Sequence, residues 1–284
     1  MHIDKPIVSP LNYMGGKKKL LADILSHFPD NIGTFVDLFC GGATIGINTP
    51  SEHLILNDNL PHLTELFQYL SENPIDGMIG YIEKTIHDLD LFNDGKEAYN
   101  SLKQKYNSSI SKCPLDLFIL IAFGFNNQIR FNSRGEYNIP FGQNRRGWNP
   151  KMKENFIAFA NALQNKNVEF LSQDFADFDF SCLKENDFVY CDPPYLVSFA
   201  TYNPSWNENE EKQLLGILST LNDRKIKFAL TNALENKGKK NEILIKWIED
   251  NGFKVYHFNI SYKNSAYCRK EKGSVTDEVL VTNY

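Results

Sequence analysis

The chain has 284 residues, 23% of them charged, and a formal net charge of −5. That length suits one α/β domain with a sizeable insertion and a well-buried core; no apolar run approaches bilayer length and the start, Met1 to Pro6, has no apolar signal core, so a cytoplasmic protein without a membrane partner is expected. Five scattered cysteines (Cys40, Cys113, Cys182, Cys191, Cys268) with no Cys-x-x-Cys pair argue against a disulfide framework or zinc site, and the histidines lack the i, i+4 pairing of H-E-x-x-H, so no metal is expected.

In chain order, Leu20, Leu21, Ile24, Leu25 and Phe28 recur at helical spacing and Pro29 closes that element. Phe35-Val36-Asp37-Leu38-Phe39 reads as a short buried strand running through Cys40 into the Gly41-Gly42 turn and a helix start. A glycine turn at a strand's carboxyl end is where open α/β sheets bind nucleotide-like ligands. The full G-x-G-x-x-G pattern is missing, so a dinucleotide pyrophosphate is not the natural occupant. A second strand, His53 to Asp58, ends in a carboxylate about 20 residues after the first, the separation expected of a group that grips ribose hydroxyls. A nucleoside without phosphates fits, and S-adenosylmethionine is the commonest such cofactor.

After Pro61 the pattern turns helical for about a hundred residues. Ile79, Ile82, Ile86 and Leu89 mark one helix, and Leu115 to Phe125 reads as a buried one. A hairpin is expected next, with Ile129-Arg130-Phe131 and Tyr137-Asn138-Ile139 flanking the turn Ser133-Arg134-Gly135. Between Asn126 and Lys153 stand Arg130, Arg134, Arg145, Arg146, Lys151 and Lys153 against the single acid Glu136, so this stretch is basic although the chain is acidic. Local charge neutralises phosphates, whatever the total. A two-stranded ribbon can enter the major groove, where arginine reads guanine and Asn or Gln reads adenine; Asn126, Gln128, Arg130, Asn132 and Arg134 supply those side chains. Asn127 reads better as a residue solvating its own turn.

Strands resume near 167–172 and 187–191, the second ending in Cys191-Asp192-Pro193-Pro194-Tyr195. Asp-Pro-Pro alone is ordinary turn chemistry. It also suits a reaction at a planar amino group. Asp192 and the carbonyl of Pro193 can accept the two N–H bonds of a nucleobase amine and draw its nitrogen towards tetrahedral geometry. The prolines offer no competing N–H, and Tyr195 can stack on a base that has left the duplex. Cytosine-ring chemistry would need a thiolate after a proline, and Cys113-Pro114 has the reverse order. A helix with Leu214, Leu215, Leu218 and Leu221, a strand Lys227 to Leu230, a helix with Ile243, Leu244, Trp247 and Ile248, and two last strands complete an alternating α/β pattern.

Leu11 to Lys17, Asp37 to Gly42 and Asp192 to Tyr195 resemble, in order, the three signature motifs of the Dam-type DNA adenine methyltransferases. The ending Thr276 to Tyr284 resembles that family's last strand. The likeness is strongest to the phage branch over Tyr195–Trp206 and Thr220–Trp247, while Asn126 and Gln128 depart from that branch. The resemblance implies an α/β fold: a Rossmann-like S-adenosylmethionine-dependent methyltransferase sheet with an inserted, mostly helical DNA-recognition domain. On that basis residues 1–60 and 161–284 form the catalytic domain, and 61–160 the recognition domain with its hairpin near 129–140. It implies S-adenosylmethionine contacts at Tyr13, Lys17, Asp37, Phe39, Gly41, Asp58, Asp174 and Asp192, and catalysis by Asp192, Pro193, Pro194 and Tyr195. It further implies DNA contacts at Asn126, Gln128, Arg130, Asn132, Arg134, Pro140, Arg145 and Arg146. The implied reaction is methyl transfer to N6 of a flipped adenine in double-stranded DNA, within GATC. Two other readings share these residues: the same chemistry on RNA adenine or protein glutamine, and a non-catalytic repressor that responds to S-adenosylmethionine. Oligomeric state has no signature in the sequence.

Overall fold

A computed structural model describes residues 6–13, 15–93, 95–142, 147–197, 206–258 and 276–284. The apolar runs become strands β1 (Thr34–Asp37), β2 (His53–Asn57), β3 (Val168–Leu171), β4 (Phe188–Cys191), β5 (Lys227–Asn236), β6 (Lys239–Lys240), β7 (Lys254–Phe258) and β8 (Thr276–Thr282). They form one sheet in the order β3-β2-β1-β4-β5-β8-β7, with β6 paired to β5. Strands β1 to β5 run parallel, and β8 lies antiparallel between β5 and β7. Parallel strands are covered on both faces, which is why β1 and β4 read as unbroken apolar runs.

Alternation along the strands sorts side chains into two cores. Phe35, Leu54, Leu56, Phe188 and Tyr190 face one. Val36, Ile55, Val189 and Cys191 face the other. The first face is covered by α1 (Leu21–Ser26), α2 (Thr44–Asn48), α3 (Pro61–Glu72) and α7 (Pro150–Gln164), with α4 (Ile75–Asp88), α5 (Lys96–Ser108) and α6 (Pro114–Phe123) continuing the same apolar cluster. The second is covered by α8 (Glu208–Asp223) and α9 (Glu242–Asn251). Asn207 starts α8 with a reciprocal capping box to Glu210.

Chain order in the sheet reverses between β1 and β4, which are neighbours with Asp37 opposite Tyr190. The crevice at the carboxyl ends of these strands is where ligands bind in such sheets. Both the glycine turn after β1 and Asp192 after β4 therefore open at one place.

Two local expectations change. Helix α6 stops at Phe123, because Gly124 turns to extended backbone (ψ 156°); Asn126 and Asn127 then take positive φ (57° and 51°) and the Asn127 amide donates back to the carbonyls of Ile121 and Ala122. The Ala122 carbonyl is one of the groups a helix end leaves without an intrahelical partner, and Ile121 also accepts the Gly124 N–H. Asn127 thus serves its own turn, as read from the sequence, and Phe125 is left half exposed. The hairpin forms its turn, with Gly135 at φ 72°, but no two-stranded ladder: only Phe131 and Tyr137 make a bridge across it. The rungs beside that bridge form, from the Asn132 N–H to Glu136 and from the Asn138 N–H to Arg130, but Pro140 has no N–H for the next one and the Gln128 carbonyl takes the Tyr137 hydroxyl instead. On its outward side the returning segment is held by α5. Asn107 takes both the N–H and the carbonyl of Tyr137, and Tyr99 and Lys103 take the carbonyl of Ile139.

Candidate active site at the switch point

Asp192 follows β4 and is held from three directions. Its Oδ2 lies 2.8 Å from Nζ of Lys17, and its Oδ1 accepts the Thr231 hydroxyl of β5 at 2.7 Å. The Tyr195 hydroxyl lies 3.4 Å from Oδ1 and donates more closely, at 2.7 Å, to Glu278 Oε1 on β8. Lys17 also reaches the Gly15 carbonyl at 2.9 Å and Glu278 at 3.6 Å, and sits 5.2 Å from the centre of the Tyr195 ring. Burial pushes the Asp192 carboxyl above the usual range, with Glu278 adding to it, while Lys17 and Thr231 pull it back. The Asp192 side chain keeps 19% of its surface exposed, against 8% for Lys17. The carboxylate thus keeps a little solvent contact in an otherwise dry setting.

The turn after β1 builds the other wall. Gly41 takes φ 47°, and a Cβ there would come within 2.8 Å of the Tyr13 ring, so glycine is needed both for conformation and for space. Asp58, at the end of β2, accepts the Gly41 N–H at 2.9 Å and the Leu60 N–H at 3.0 Å. Its burial raises its pKa, and those two N–H groups oppose the rise. Asp37 is almost wholly buried and accepts the Gly46 N–H of α2 at 2.9 Å; burial pushes its carboxyl up to about 8. Phe39 meets Phe175 and Trp206 at ring separations of 5.4 and 5.7 Å, and Asp174 stands exposed beside Phe175. Carboxylates, a glycine turn and aromatic rings, with Lys17 turned onto Asp192, suit a phosphate-free nucleoside bearing a positive group. These residues fit S-adenosylmethionine: Tyr13, Gly41, Phe39, Asp58 and Asp174 would hold it.

The structure therefore draws Tyr13, Lys17, Asp37, Phe39, Gly41, Asp58, Asp174 and the Asp192–Tyr195 segment to the carboxyl edge of the sheet. The recognition candidates lie apart on the helical side, joined to the first motif by Asn12, whose amide donates to the carbonyl of Asn126 at 3.3 Å. Arg130, Arg134 and Pro140 are exposed, while Asn126, Gln128 and Asn132 are partly covered. The Arg130 guanidinium donates to Asn138 Oδ1 at 2.7 Å. Asn132 and Arg134 both donate to Glu136. Arg145 and Arg146 fall outside the described residues.

Tertiary structure also tempers the positive charge counted along the sequence. Arg134 pairs with Glu136, Lys151 with Glu154, and Lys153 with Glu83, a helix away. Such exposed pairs are worth about 0–1 kcal/mol and exchange readily for phosphates.

Sequence reasoning missed Thr231, Glu278, Glu211 and the Phe175–Trp206 wall. Glu278 did leave a trace: an acid directly before Val279, Leu280 and Val281 in an apolar strand requires a buried partner. Nothing local marks Thr231, which reaches Asp192 only because β4 and β5 pair. Among the described residues no helix is long and apolar enough to cross a membrane, and no group of three or more His, Cys, Asp or Glu side chains could hold a metal ion.

A mixed α/β sheet with this order, a glycine turn at its switch point and Asp-Pro-Pro-Tyr beside it define a Rossmann-like methyltransferase fold. The model of the D12 class N6 adenine-specific DNA methyltransferases matches residues 13–265, and the chain belongs to that family. It is similar to the type II methyltransferase M.FokI of Planomicrobium okeanokoites, 41% identical over 98% of this chain and 43% of that protein. The modification methylase StsI of Streptococcus sanguinis is likewise 41% identical, over 99% of this chain and 43% of its own length. The DNA adenine methylase of Haemophilus influenzae is 32% identical over 65% of this chain and 63% of that protein. The chain spans less than half the length of M.FokI and StsI. Family membership implies S-adenosylmethionine as methyl donor.

Proposed function

We propose that the chain transfers a methyl group from S-adenosylmethionine to the exocyclic amine of an adenine swung out of duplex DNA, in the cytoplasm. The observation that carries this reading is the Lys17–Asp192 pair, which joins the first motif to a partly exposed carboxylate beside the glycine turn. Bound S-adenosylmethionine supplies an electrophilic methyl group on a sulfonium. The chain's own work is to orient and polarise. Asp192 Oδ2 and the Pro193 carbonyl accept the two amine N–H bonds, so the nitrogen lone pair withdraws from the ring and points outward. Lys17 and Thr231 fix the carboxylate during this. The methylated nitrogen is acidic enough to lose its proton afterwards, so Asp192 need not remove it beforehand. Orientation of donor and acceptor is worth up to about 7–11 kcal/mol, more than proton removal supplies.

Residues 61–160 act in this reading as the recognition domain, with the segment 126–140 on the bases and Arg145 and Arg146 on phosphates. GATC is the first target to test.

Labelled S-adenosylmethionine offered with duplex DNA, single-stranded RNA or protein separates the readings. Label is expected on duplex DNA alone. Asp192→Ala should lower it by a factor on the order of 100 or more, as expected on losing a group aimed at developing charge, with DNA binding retained. Label on RNA or protein, or none on any substrate, would displace this reading. Sequencing for methylated adenine then identifies the target.

A further inference from the structure

Glu211, in the first turn of α8, is only 1% exposed, and three side chains converge on it. The Trp206 indole N–H donates to Oε2 at 2.9 Å. The Asn232 and Asn241 amides donate to Oε1 at 3.1 and 2.8 Å. The direction of those amides is set independently, because the oxygen of Asn232 accepts the Ala233 N–H and that of Asn241 accepts the Leu244 N–H at the start of α9. Glu211 thus meets donors only, on both of its oxygens. Burial raises its pKa, and the three N–H donors oppose this. A carboxylate in this position costs desolvation that an apolar side chain would avoid.

What the arrangement achieves lies at Trp206. Its ring stands 5.7 Å from Phe39 and 5.4 Å from Phe175, edge-on to the first and tilted to the second. Phe39 lies in the turn after β1 and Phe175 follows β3, so Trp206 is the third ring of a wall whose other two members belong to the cofactor side of the crevice. Among the described residues, the hydrogen bond that fixes its rotation comes from α8.

Resting on the methyltransferase reading, we infer that Glu211 is a positioning residue for S-adenosylmethionine: it holds Trp206 against Phe39 and Phe175, and its effect falls on cofactor affinity. Glu211→Gln distinguishes this from simple core stability. The amide oxygen can still accept from Asn232 and Asn241, but the NH2 group then faces the Trp206 N–H, donor against donor. Trp206→Phe removes the same hydrogen bond while leaving a ring.

The protein carries three tryptophans, so 5-fluorotryptophan labelling gives a short fluorine spectrum in which Trp206→Phe assigns one line. In Glu211→Gln without cofactor, the Trp206 line should shift or broaden and the other two should stay. Calorimetry with S-adenosylmethionine should show Kd raised about tenfold by either substitution, the effect of one lost hydrogen bond, and no further rise in the double variant. The KM for cofactor should rise more than kcat falls. A lower melting temperature with Kd within twofold of wild type would overturn the inference, as would additive effects in the double variant. If Glu211→Gln does not fold, Trp206→Phe with unchanged Kd overturns it alone. Wild-type protein that binds no S-adenosylmethionine would overturn the methyltransferase reading and this inference together, whereas wild-type binding with unchanged variants removes this inference only.

Discussion

The Nζ of Lys17 lies 2.8 Å from Oδ2 of Asp192 and 3.6 Å from Oε1 of Glu278, so one buried ammonium ties the first motif of the chain to β4 and to the last strand. Lys17 approaches Asp192 instead of standing open to a ligand. In the proposed reaction its contribution would therefore be the charge state and direction of the carboxylate. Lys17→Met should cost about 3 kcal/mol of stability, the low end for breaking a buried pair, since Asp192 keeps some solvent contact. The Asp192 carboxyl is already raised by burial, and Lys17 opposes that rise. Without Lys17 the proton is held to higher pH, so the acid limb of the pH–kcat/KM profile should move upward. A variant with reduced activity but an unmoved acid limb would show that Lys17 acts on something other than Asp192.

Asp37 predicts a different pH effect. Its carboxyl is pushed up from 3.8 to about 8 by burial. Between those values the folded protein holds a proton that the unfolded chain has released, so this contribution to stability is complete below about pH 4 and is lost as pH rises through 8. Asp37→Asn keeps an oxygen for the Gly46 N–H and has no proton to lose. It should melt close to wild type at pH 4 and more stably at pH 8, by an amount on the order of a few kcal/mol. Thermal melts that stay parallel from pH 4 to 8 would contradict a protonated Asp37.

Tyr195 has two separable parts. The hydroxyl donates to Glu278 at 2.7 Å, and the ring is the candidate stacking surface for a base out of the duplex. Tyr195→Phe loses only the hydrogen bond, about 0.5–1.5 kcal/mol or somewhat more with a charged acceptor, and should keep much of the turnover. Tyr195→Ala should lose about 1–3 kcal/mol of stacking as well. A fluorescent adenine analogue at the target position reports this through altered emission in the bound complex. Normal emission together with a large drop in melting temperature would make Tyr195 a core ring.

Along the recognition segment, Arg130 donates to Asn138 while Arg134 is paired with Glu136. Arg130→Ala should relax preference at one base position by about 1–3 kcal/mol. Arg146→Ala should weaken binding to all sequences alike and flatten the salt dependence by about one unit. Binding to a panel of single-base variants at several salt concentrations checks both. Identical profiles for the two variants would end this division of roles.

What could be read from the residues alone was whatever depends on local pattern. Apolar runs of four or five residues marked β1, β2 and β4, helical spacing marked α1, α4, α8 and α9, and the pairing of a glycine turn with Asp-Pro-Pro-Tyr marked the chemistry. Each of these signals is carried by neighbours in sequence, through side-chain period, backbone conformation and missing N–H donors.

Tertiary structure decided everything that depends on a partner from far along the chain. Lys17 was legible as part of a motif, but its turn towards Asp192 and Glu278 follows from the sheet order, which sets β4 beside β1 and brings β8 in next to β5. Asp58 holds the glycine turn, and Asp37 the start of α2, because both carboxylates are buried where backbone N–H groups are the available donors. The hairpin lost its ladder where Pro140 has no N–H and the Gln128 carbonyl met the Tyr137 hydroxyl, and Arg134, Lys151 and Lys153 met carboxylates, one of them on α4. Glu211 carries no motif. Its role follows from three donors that converge on one dry carboxylate only when α8, β5 and the start of α9 are packed together.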